Sequence, residues 1–263
     1  MRLMLIYAMH SASTRRAPAF QTLAEEAVDI IRNRILDMTL EPGSRIDAPL
    51  LMKQFRLSRT PAREALNRLA AEGLVVLHAN RGAYVRRLDF DDIRALFDVY
   101  FVEERVLGHF CNFRDPGLVA DLERIHGEHQ AATRARRHLD VTRLNSEFHH
   151  RIAASSRNPY VQEFAHRIHN HFRRLAFCIY QLESRMSKVL ETQMVRIIDE
   201  HAQIIAAIRR GDRKRLIEKL ISHARRAQDR LVAMINVSRG REFALPEGLA
   251  PIGANRGSRR KSA

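Results

Sequence analysis

Histidines at regular spacing in the C-terminal half of the chain could bind a divalent metal ion. His201 and His223 lie eleven residues on either side of a Gly-Asp turn signal at position 212. If antiparallel helices flank this turn, a rise of about 1.5 Å per residue places both rings roughly 15 Å from it. His149 follows Asn145 by four residues, so both side chains lie on one face of their helix. Three imidazoles and an oxygen ligand can hold zinc, with nickel or manganese as alternatives.

Other interpretations of the histidine pattern remain open at this point. The chain has 13 histidines, so chance pairings are frequent. A single histidine on a helix is more often a satisfied or solvated side chain than a ligand. Competing pairs are His126 with His129 and His166 with His169, each three residues apart but without a third partner at the same level. Spacing alone therefore gives one preferred metal site and two weaker candidates.

The elements that must position these histidines are helices. From Asp89 almost to Ser238, apolar residues recur at helical spacing between short turn signals, which predicts an antiparallel bundle of about six helices. Residues 22–88 instead show three helical segments and then two short strands around Asn80-Arg81-Gly82. That order predicts a winged helix-turn-helix with a β-hairpin wing. We therefore expect a mainly α fold with a DNA-binding domain at 22–88 and an all-helical domain at 89–238.

The third predicted helix of the N-terminal domain carries residues that could read DNA. Ser58 is its expected N-cap, and Arg59 and Arg63 lie four residues apart on one face. Guanidinium groups can contact phosphates or guanine edges in the major groove, and Arg81 at the hairpin tip is placed to reach the minor groove or backbone. A solvated surface would show the same arginines, but the order of elements around them favours DNA binding.

Composition supports a polyanionic partner without proving one. The formal net charge is +15 over 263 residues, and part of it lies in residues 239–263, with six Lys/Arg against two acids. A nonspecific nucleic-acid or membrane-surface binder that uses this tail is therefore an alternative function. No apolar run approaches the ~20 residues that a membrane span needs. Two cysteines are too few for a disulfide framework, and two free thiols fit the reducing cytoplasm, where we expect the protein to be. We also expect disordered segments at 1–21 and 239–263.

The N-terminal segment resembles the GntR family of bacterial transcription regulators. The resemblance covers residues 22–87 and is carried by LEPGSRI at 40–46, LSRTPAREAL at 57–66, LAAEGLV at 69–75 and RGAYV at 81–85. It implies DNA contacts by Ser58, Arg59, Thr60 and Arg63, with Arg81 and Gly82 in the wing. Pro49-Leu50 stands early in the second helix, where the family often has a polar or basic residue, so this chain departs from the family pattern at that point.

Residues 91–236 resemble the helical effector domain of the FadR-type branch of that family, an FCD-like domain. The matching segments are NSEFH at 145–149, SRNP at 156–159, EHAQIIAAI at 200–208, GD at 211–212 and SH at 222–223. Many members hold a metal with three histidines and an Asp four residues before the first of them. The resemblance therefore implies metal binding by His149, His201 and His223, with Asn145 in the position of the acid.

Two departures from the family pattern shape the expected ligand. Asn145 adds no charge, so a dication would be surrounded by neutral ligands and would favour an anionic effector such as a carboxylate. Tyr100 stands where the family often has Arg. The effector-binding cation is then either missing or supplied by Arg105, Arg143 or Arg174, and the sequence does not choose among these three.

Together these patterns predict a regulator that represses from a palindromic operator as a homodimer, because one recognition helix reads few base pairs. A small organic acid is the expected effector. A metal-dependent hydrolase is the enzymatic alternative, since three histidines with an open position can activate water. Against it, no general base is placed beside the histidines: Glu147 is near only in sequence, and Glu200 lies about 100° around its helix from His201.

Overall fold

The computed structural model describes residues 23–54, 56–184 and 187–239. Within these ranges the chain is mainly α-helical with one small antiparallel sheet, which confirms the predicted fold class. The predicted extension at 1–21 and nearly all of the predicted tail at 239–263 lie outside the described residues.

Three helices and three strands form the N-terminal module. They are α1 (Leu23–Leu36), β1 (Arg45–Ile46), α2 (Ala48–Gln54), α3 (Arg59–Ala71), β2 (Val75–His78) and β3 (Gly82–Val85). The strand order is β1-β3-β2, and Tyr84 pairs with Arg45 on one side and Val76 on the other. The hairpin turn between β2 and β3 places Asn80 at φ 60°, a left-handed conformation that asparagine tolerates. The predicted hairpin is present, and β1 adds a third strand that is too short to show alternation.

Apolar side chains from all three helices close over the sheet. Ile35, Leu69 and Leu74 are fully buried in this core, together with Val85 from β3. Each such side chain stabilises the fold by about 1.5–3 kcal/mol. The core fixes the angle between α3 and the wing, which positions the surface that could face DNA.

Ser58 does not cap α3 with its side chain as the sequence predicts. Its backbone is extended, as an N-cap requires, but its hydroxyl oxygen accepts no hydrogen bond from the first N–H groups of the helix. An N-cap side chain accepts from the second or third helical N–H. Pro61 occupies the third helical position and has no N–H. This removes one of the two donors that Ser58 could have used.

Six helices form the C-terminal bundle, as predicted. They are α4 (Phe90–Phe110), α5 (Leu118–Arg134), α6 (His138–Ser155), α7 (Pro159–Ser184), α8 (Ser187–Arg209) and α9 (Arg213–Arg239). α4 packs against α7 and α9, while α5 packs against α6 and α8. Gly108 permits a close crossing of α4 and α9, because a Cβ there would lie 3.2 Å from the Ile217 Cα. The helices α8 and α9 meet at Gly211, whose φ is 66°.

The two modules are joined by direct contacts as well as by the chain. Arg174 in α7 is fully buried and donates from Nη2 to the carbonyl oxygen of Arg86, at 2.6 Å. Met38, just after α1, packs against the apolar cluster that includes Leu88 and Phe97. A movement of α7 would therefore be transmitted to the N-terminal module through these contacts.

Candidate metal centre and nucleic-acid interface

The bundle brings the three predicted metal ligands together. His149 from α6, His201 from α8 and His223 from α9 are all buried, and their ligand atoms lie within 4.8 Å of one another. The ring centroids of His201 and His223 are 5.1 Å apart, as expected for residues level on two antiparallel helices. The His149 and His223 rings are stacked at 5.3 Å.

A carboxylate orients His223 for metal binding. Its Nδ1 lies 2.9 Å from Oε2 of Glu200, and the same carboxylate accepts a hydrogen bond from Arg226. Burial alone would raise the pKa of Glu200, but the hydrogen bond to His223 and the charge of Arg226 hold it below its ordinary value. An ionised Glu200 fixes the proton on Nδ1 and leaves Nε2 as the lone-pair donor, the arrangement common for metal-binding histidines.

The other two rings also fit a metal ion. Burial lowers the pKa of His149 and of His201 well below the ordinary value, and neighbouring histidines lower both further. Both rings are therefore neutral, which is the form that binds metal. Within the described residues, neither nitrogen of either ring has a hydrogen-bond partner. Buried polar atoms normally have partners. The nitrogen lone pairs of these two rings are therefore available to bind a metal ion.

Asn145 borders this centre without adding charge to it. It is 7 % exposed and lines a cavity of about 20 Å³ together with Glu200, His223, Arg226 and Arg230. That volume holds roughly one water molecule. Arg230 is buried and forms a two-point pair with Glu183, at 2.9 and 2.6 Å. Sequence reasoning missed Arg226 and Arg230, although they follow His223 by three and seven residues and so share its helix face.

The four residues proposed for effector binding lie in different places. Tyr100 is buried in the bundle with its ring stacked on Phe172 at 4.3 Å. Arg105 is exposed on α4. Arg143 pairs with Glu147 and lines a cleft between the two modules, while Arg174 bonds to the domain junction.

The weaker histidine candidates also have ring or side-chain partners in the bundle. The His129 ring lies 5.0 Å from that of His201, and the His169 ring lies 4.5 Å from that of His149. Both His129 and His169 are fully buried. His126 contacts Gln130, and His166 stacks near His150. The centre is therefore a larger histidine cluster than spacing alone predicts.

The candidate DNA-binding surface is a concave face between α3 and the wing. It encloses about 730 Å³ and includes Arg45, Arg59, Arg63, Asn67 and His78 among its lining residues. Gly82 on the wing also lines it, and the other predicted contact residues are exposed: Ser58 and Thr60 at the start of α3 and Arg81 at the hairpin tip. Arg45 on β1 was missed, because the strand that presents it gives no sequence signal.

The charges on this face are available to a ligand. In the described part of the chain, Arg59 and Arg63 have no ion pair, whereas Arg68 on the same helix pairs with Glu64 at 2.5 Å. Free guanidinium groups beside a helix N-terminus suit the phosphates of a polyanion.

Comparison with known proteins agrees with both parts of this architecture. Residues 23–85 match the family described as bacterial regulatory proteins, gntR family, and residues 100–226 match the FCD domain. The chain belongs to the GntR family of transcription regulators. The combination of the two domains places it in the FadR-type branch.

Relatives of this GntR-family regulator are themselves regulators by name. The Nta operon transcriptional regulator of Aminobacter aminovorans is 34% identical over 127 residues, 44% of this chain and 56% of that protein. The gluconate operon transcriptional repressor of Bacillus licheniformis is 28% identical, over 72% of this chain and 77% of that protein. E. coli McbR/YncC shares the fold with a TM-score of 0.63 and 18% identity, over 82% of this chain and 98% of that chain.

These relatives support DNA-binding regulation and not the alternative of a hydrolase. Among the described helices of this GntR-family chain, none combines the length and apolar character of a membrane span.

Replacing Arg63 by alanine is expected to weaken operator binding by about 1–3 kcal/mol if the side chain reads a base. The free guanidinium on the exposed face of α3 is the reason. Arg68→Ala is the matched control, because Arg68 lies on the same helix but is paired with Glu64. Fluorescence anisotropy at several salt concentrations, on operator and random DNA, measures both. If Arg63 contacts only phosphate, the loss is equal on both DNAs and the salt slope falls by about one. An Arg63→Ala variant indistinguishable from wild type would show that α3 does not enter the groove.

Proposed function

We propose that this GntR-family regulator is a repressor whose affinity for a palindromic operator is set by a small organic acid bound, with a divalent metal ion, in the C-terminal bundle. The observation that carries the proposal is the buried trio of imidazoles on α6, α8 and α9, whose ligand atoms lie within 4.8 Å of one another. They lie in a domain that is bonded directly to the DNA-binding module.

His149, His201 and His223 would hold the ion, with the Asn145 amide oxygen as a weak fourth ligand. A divalent ion supplies a Lewis-acidic positive charge that can bind a carboxylate. Since all four protein ligands are neutral, none of them balances that charge, and an anion is a natural remaining ligand. Zinc suits the imidazole set, and nickel or manganese would also be accepted.

The walls of the small cavity beside His223 add selectivity for an acid. Arg226 and Arg230 line it, and their present partners are Glu200 and Glu183. A cavity of about 20 Å³ cannot hold an organic acid, so the acid must displace side chains as it enters. An incoming carboxylate would compete with these glutamates for the two guanidinium groups. The relative from Bacillus is named for the gluconate operon, and gluconate is a hydroxy acid, which supports testing that class first.

Displacement of side chains around α7, α8 and α9 has a path to the DNA-binding module. The path runs through α7, where Glu183 contacts Arg230 and Arg174 holds the Arg86 carbonyl. α1 also packs against α7. A change in α7 would alter the spacing of two recognition helices in a homodimer, and that spacing must match the two half-sites.

Operator selection from a random DNA library, followed by footprinting and light scattering, tests the dimer and the palindrome. We expect a dimer that protects a two-fold symmetric site. Operator affinity is then measured with a panel of mono-, di- and tricarboxylic hydroxy acids, in zinc and in chelator. At least one acid should change the affinity by about 5–150-fold, the usual range of allosteric coupling, and only with metal present. A monomer on one asymmetric half-site, or no response to any acid, contradicts the proposal.

A further inference from the structure

Two adjacent carboxylates lie in the interior of the bundle. Glu103 and Glu104 of α4 are both 0 % exposed. Within the described residues, none of their four carboxylate oxygens has a hydrogen-bond partner. Buried carboxylates are normally paired or bound to a metal, because burying an uncompensated charge costs several kcal/mol or more. Neither carboxylate forms an ion pair with an arginine or lysine in the described part of the chain.

Histidine nitrogens lie close to both carboxylates, and the Tyr100 hydroxyl lies near Glu104. Nδ1 of His149 lies 3.0 Å from Oε1 of Glu104, and Nε2 of His169 lies 3.3 Å from Oε2 of Glu103. Neither contact has the geometry of a hydrogen bond. The two imidazoles are stacked with their centroids 4.5 Å apart. Ligand atoms of Glu104, His149 and His169 lie within 4.8 Å of one another.

Such spacing is what a metal ion requires of its ligands. Ligand atoms about 2.0–2.2 Å from a tetrahedral ion are about 3.3 Å from each other, so small side-chain adjustments close the site. We propose that a divalent cation binds Glu104, His149 and His169, at a second position beside the one formed by His149, His201 and His223. Glu103 is placed to add a further oxygen. The proposal goes beyond the effector site and does not depend on it.

The electrostatics of the cluster favour a dication at this position. Burial raises the pKa of Glu103 well above its ordinary value and that of Glu104 to about 7, and burial lowers the pKa of His169 to about 4. The protein alone therefore holds these acids partly protonated and the imidazole neutral. A bound dication reverses the effect on the acids, since it stabilises their charged forms while accepting the neutral imidazole.

The donor set defines the chemistry of this second position. Two imidazoles and a carboxylate bind zinc, manganese or ferrous iron, often with positions left open. Glu104 supplies the negative ligand that Asn145 does not supply at the first position. The second position should therefore accept the harder ion Mn²⁺ better than the first does.

Because His149 belongs to both positions, the second is tested in a variant that lacks the first. In the full chain carrying His201→Gln and His223→Gln, the first position is lost and Glu104, His149 and His169 remain. After chelation and gel filtration, calorimetric titration with Zn²⁺ and Mn²⁺ should show one ion per chain. Adding Glu104→Gln should weaken that binding by more than about 100-fold, because a direct ligand matters more than its outer partners do. Adding Glu147→Gln, on the surface of α6, is the matched control and should change little.

A folded double variant that takes up neither ion would overturn the proposal, as would equal affinity with and without Glu104. Circular dichroism reports whether the double variant is folded. If it is not, Glu104→Gln alone is titrated with Mn²⁺, and unchanged Mn²⁺ affinity overturns the proposal. These experiments measure metal uptake without DNA. A negative result for metal uptake at the second position therefore does not contradict the operator and effector proposal. Conversely, the absence of an effector response does not contradict the second metal position.

Discussion

Replacing His149 by alanine is expected to abolish metal binding in the bundle, because both proposed positions use this one ring. Bound metal also stabilises the wild-type fold, and mass action gives the size of this effect. An ion present at 1,000 times its Kd raises the free energy of unfolding by about 4 kcal/mol. Zinc should therefore raise the unfolding midpoint of the wild-type protein clearly. The midpoint of His149→Ala should be the same in zinc and in chelator. Thermal unfolding in both buffers, with elemental analysis of the purified proteins, measures the effect.

The control for this variant is His109→Ala. His109 is an exposed histidine at the end of α4, away from the cluster, so its loss should leave both metal content and the zinc-induced shift intact. In chelator, His149→Ala should lose little stability. The fully buried ring leaves a cavity when removed, but it also takes away two polar atoms without partners in the described residues. Normal metal content and a normal zinc shift in His149→Ala would refute both metal positions.

Features that depend on local sequence were predicted well. The Gly211 turn and the equal distances of His201 and His223 from it place both rings level, and the structure sets them 5.1 Å apart. Helix periodicity likewise predicts six bundle helices, because each buries one apolar face. The hairpin wing follows from its turn residues and flanking apolar segments.

Features that depend on which helices become neighbours could not be predicted. Glu104 and His169 lie on α4 and α7, and no spacing rule connects residues 65 positions apart. Arg45 reaches the DNA-binding face only because β1 pairs with β3. The cap at Ser58 shows a smaller failure, where the residue type was suitable but Pro61 removed a donor. In each of these three cases, the position or bonding of the residue depends on a neighbour that the spacing of residue types does not reveal.

Metal-free protein is expected to lose stability steeply as the pH falls below 6.5. Four histidines have pKa values lowered chiefly by burial: the fully buried His129 and His169 to about 3 and about 4, and the half-buried His150 and His171 to about 2 and about 4. Burial also lowers the pKa of His149 and of His201 well below the ordinary value of 6.5. Between pH 6.5 and about 4, these six groups bind protons in the unfolded chain but not in the folded one, so acid favours unfolding.

The two buried glutamates act in the opposite direction. Burial raises the pKa of Glu104 to about 7 and that of Glu103 well above its ordinary value, so between pH 4.5 and 7 the folded chain holds protons that the unfolded chain releases. Their contribution therefore stabilises the fold as the pH falls. The histidines outnumber the glutamates by four, and each net proton is worth about 1.4 kcal/mol per pH unit. The net loss is about 5 kcal/mol per pH unit at its steepest, against a typical total stability of about 5–15 kcal/mol.

Urea unfolding of chelator-treated protein at pH 7.5, 6.5 and 5.5, followed by circular dichroism, measures this slope. We expect the urea midpoint to fall at each step and to fall most between pH 6.5 and 5.5. His129→Gln should reduce the pH dependence of the unfolding free energy by the equivalent of about one proton, since a buried glutamine does not titrate. His78→Gln, an exposed histidine on the wing, is the matched control and should leave the slope unchanged. Equal or greater stability at pH 5.5 than at pH 7.5 would mean that the histidine cluster is hydrated or protonated in the folded protein, and that the neutral imidazoles required for metal binding are not present.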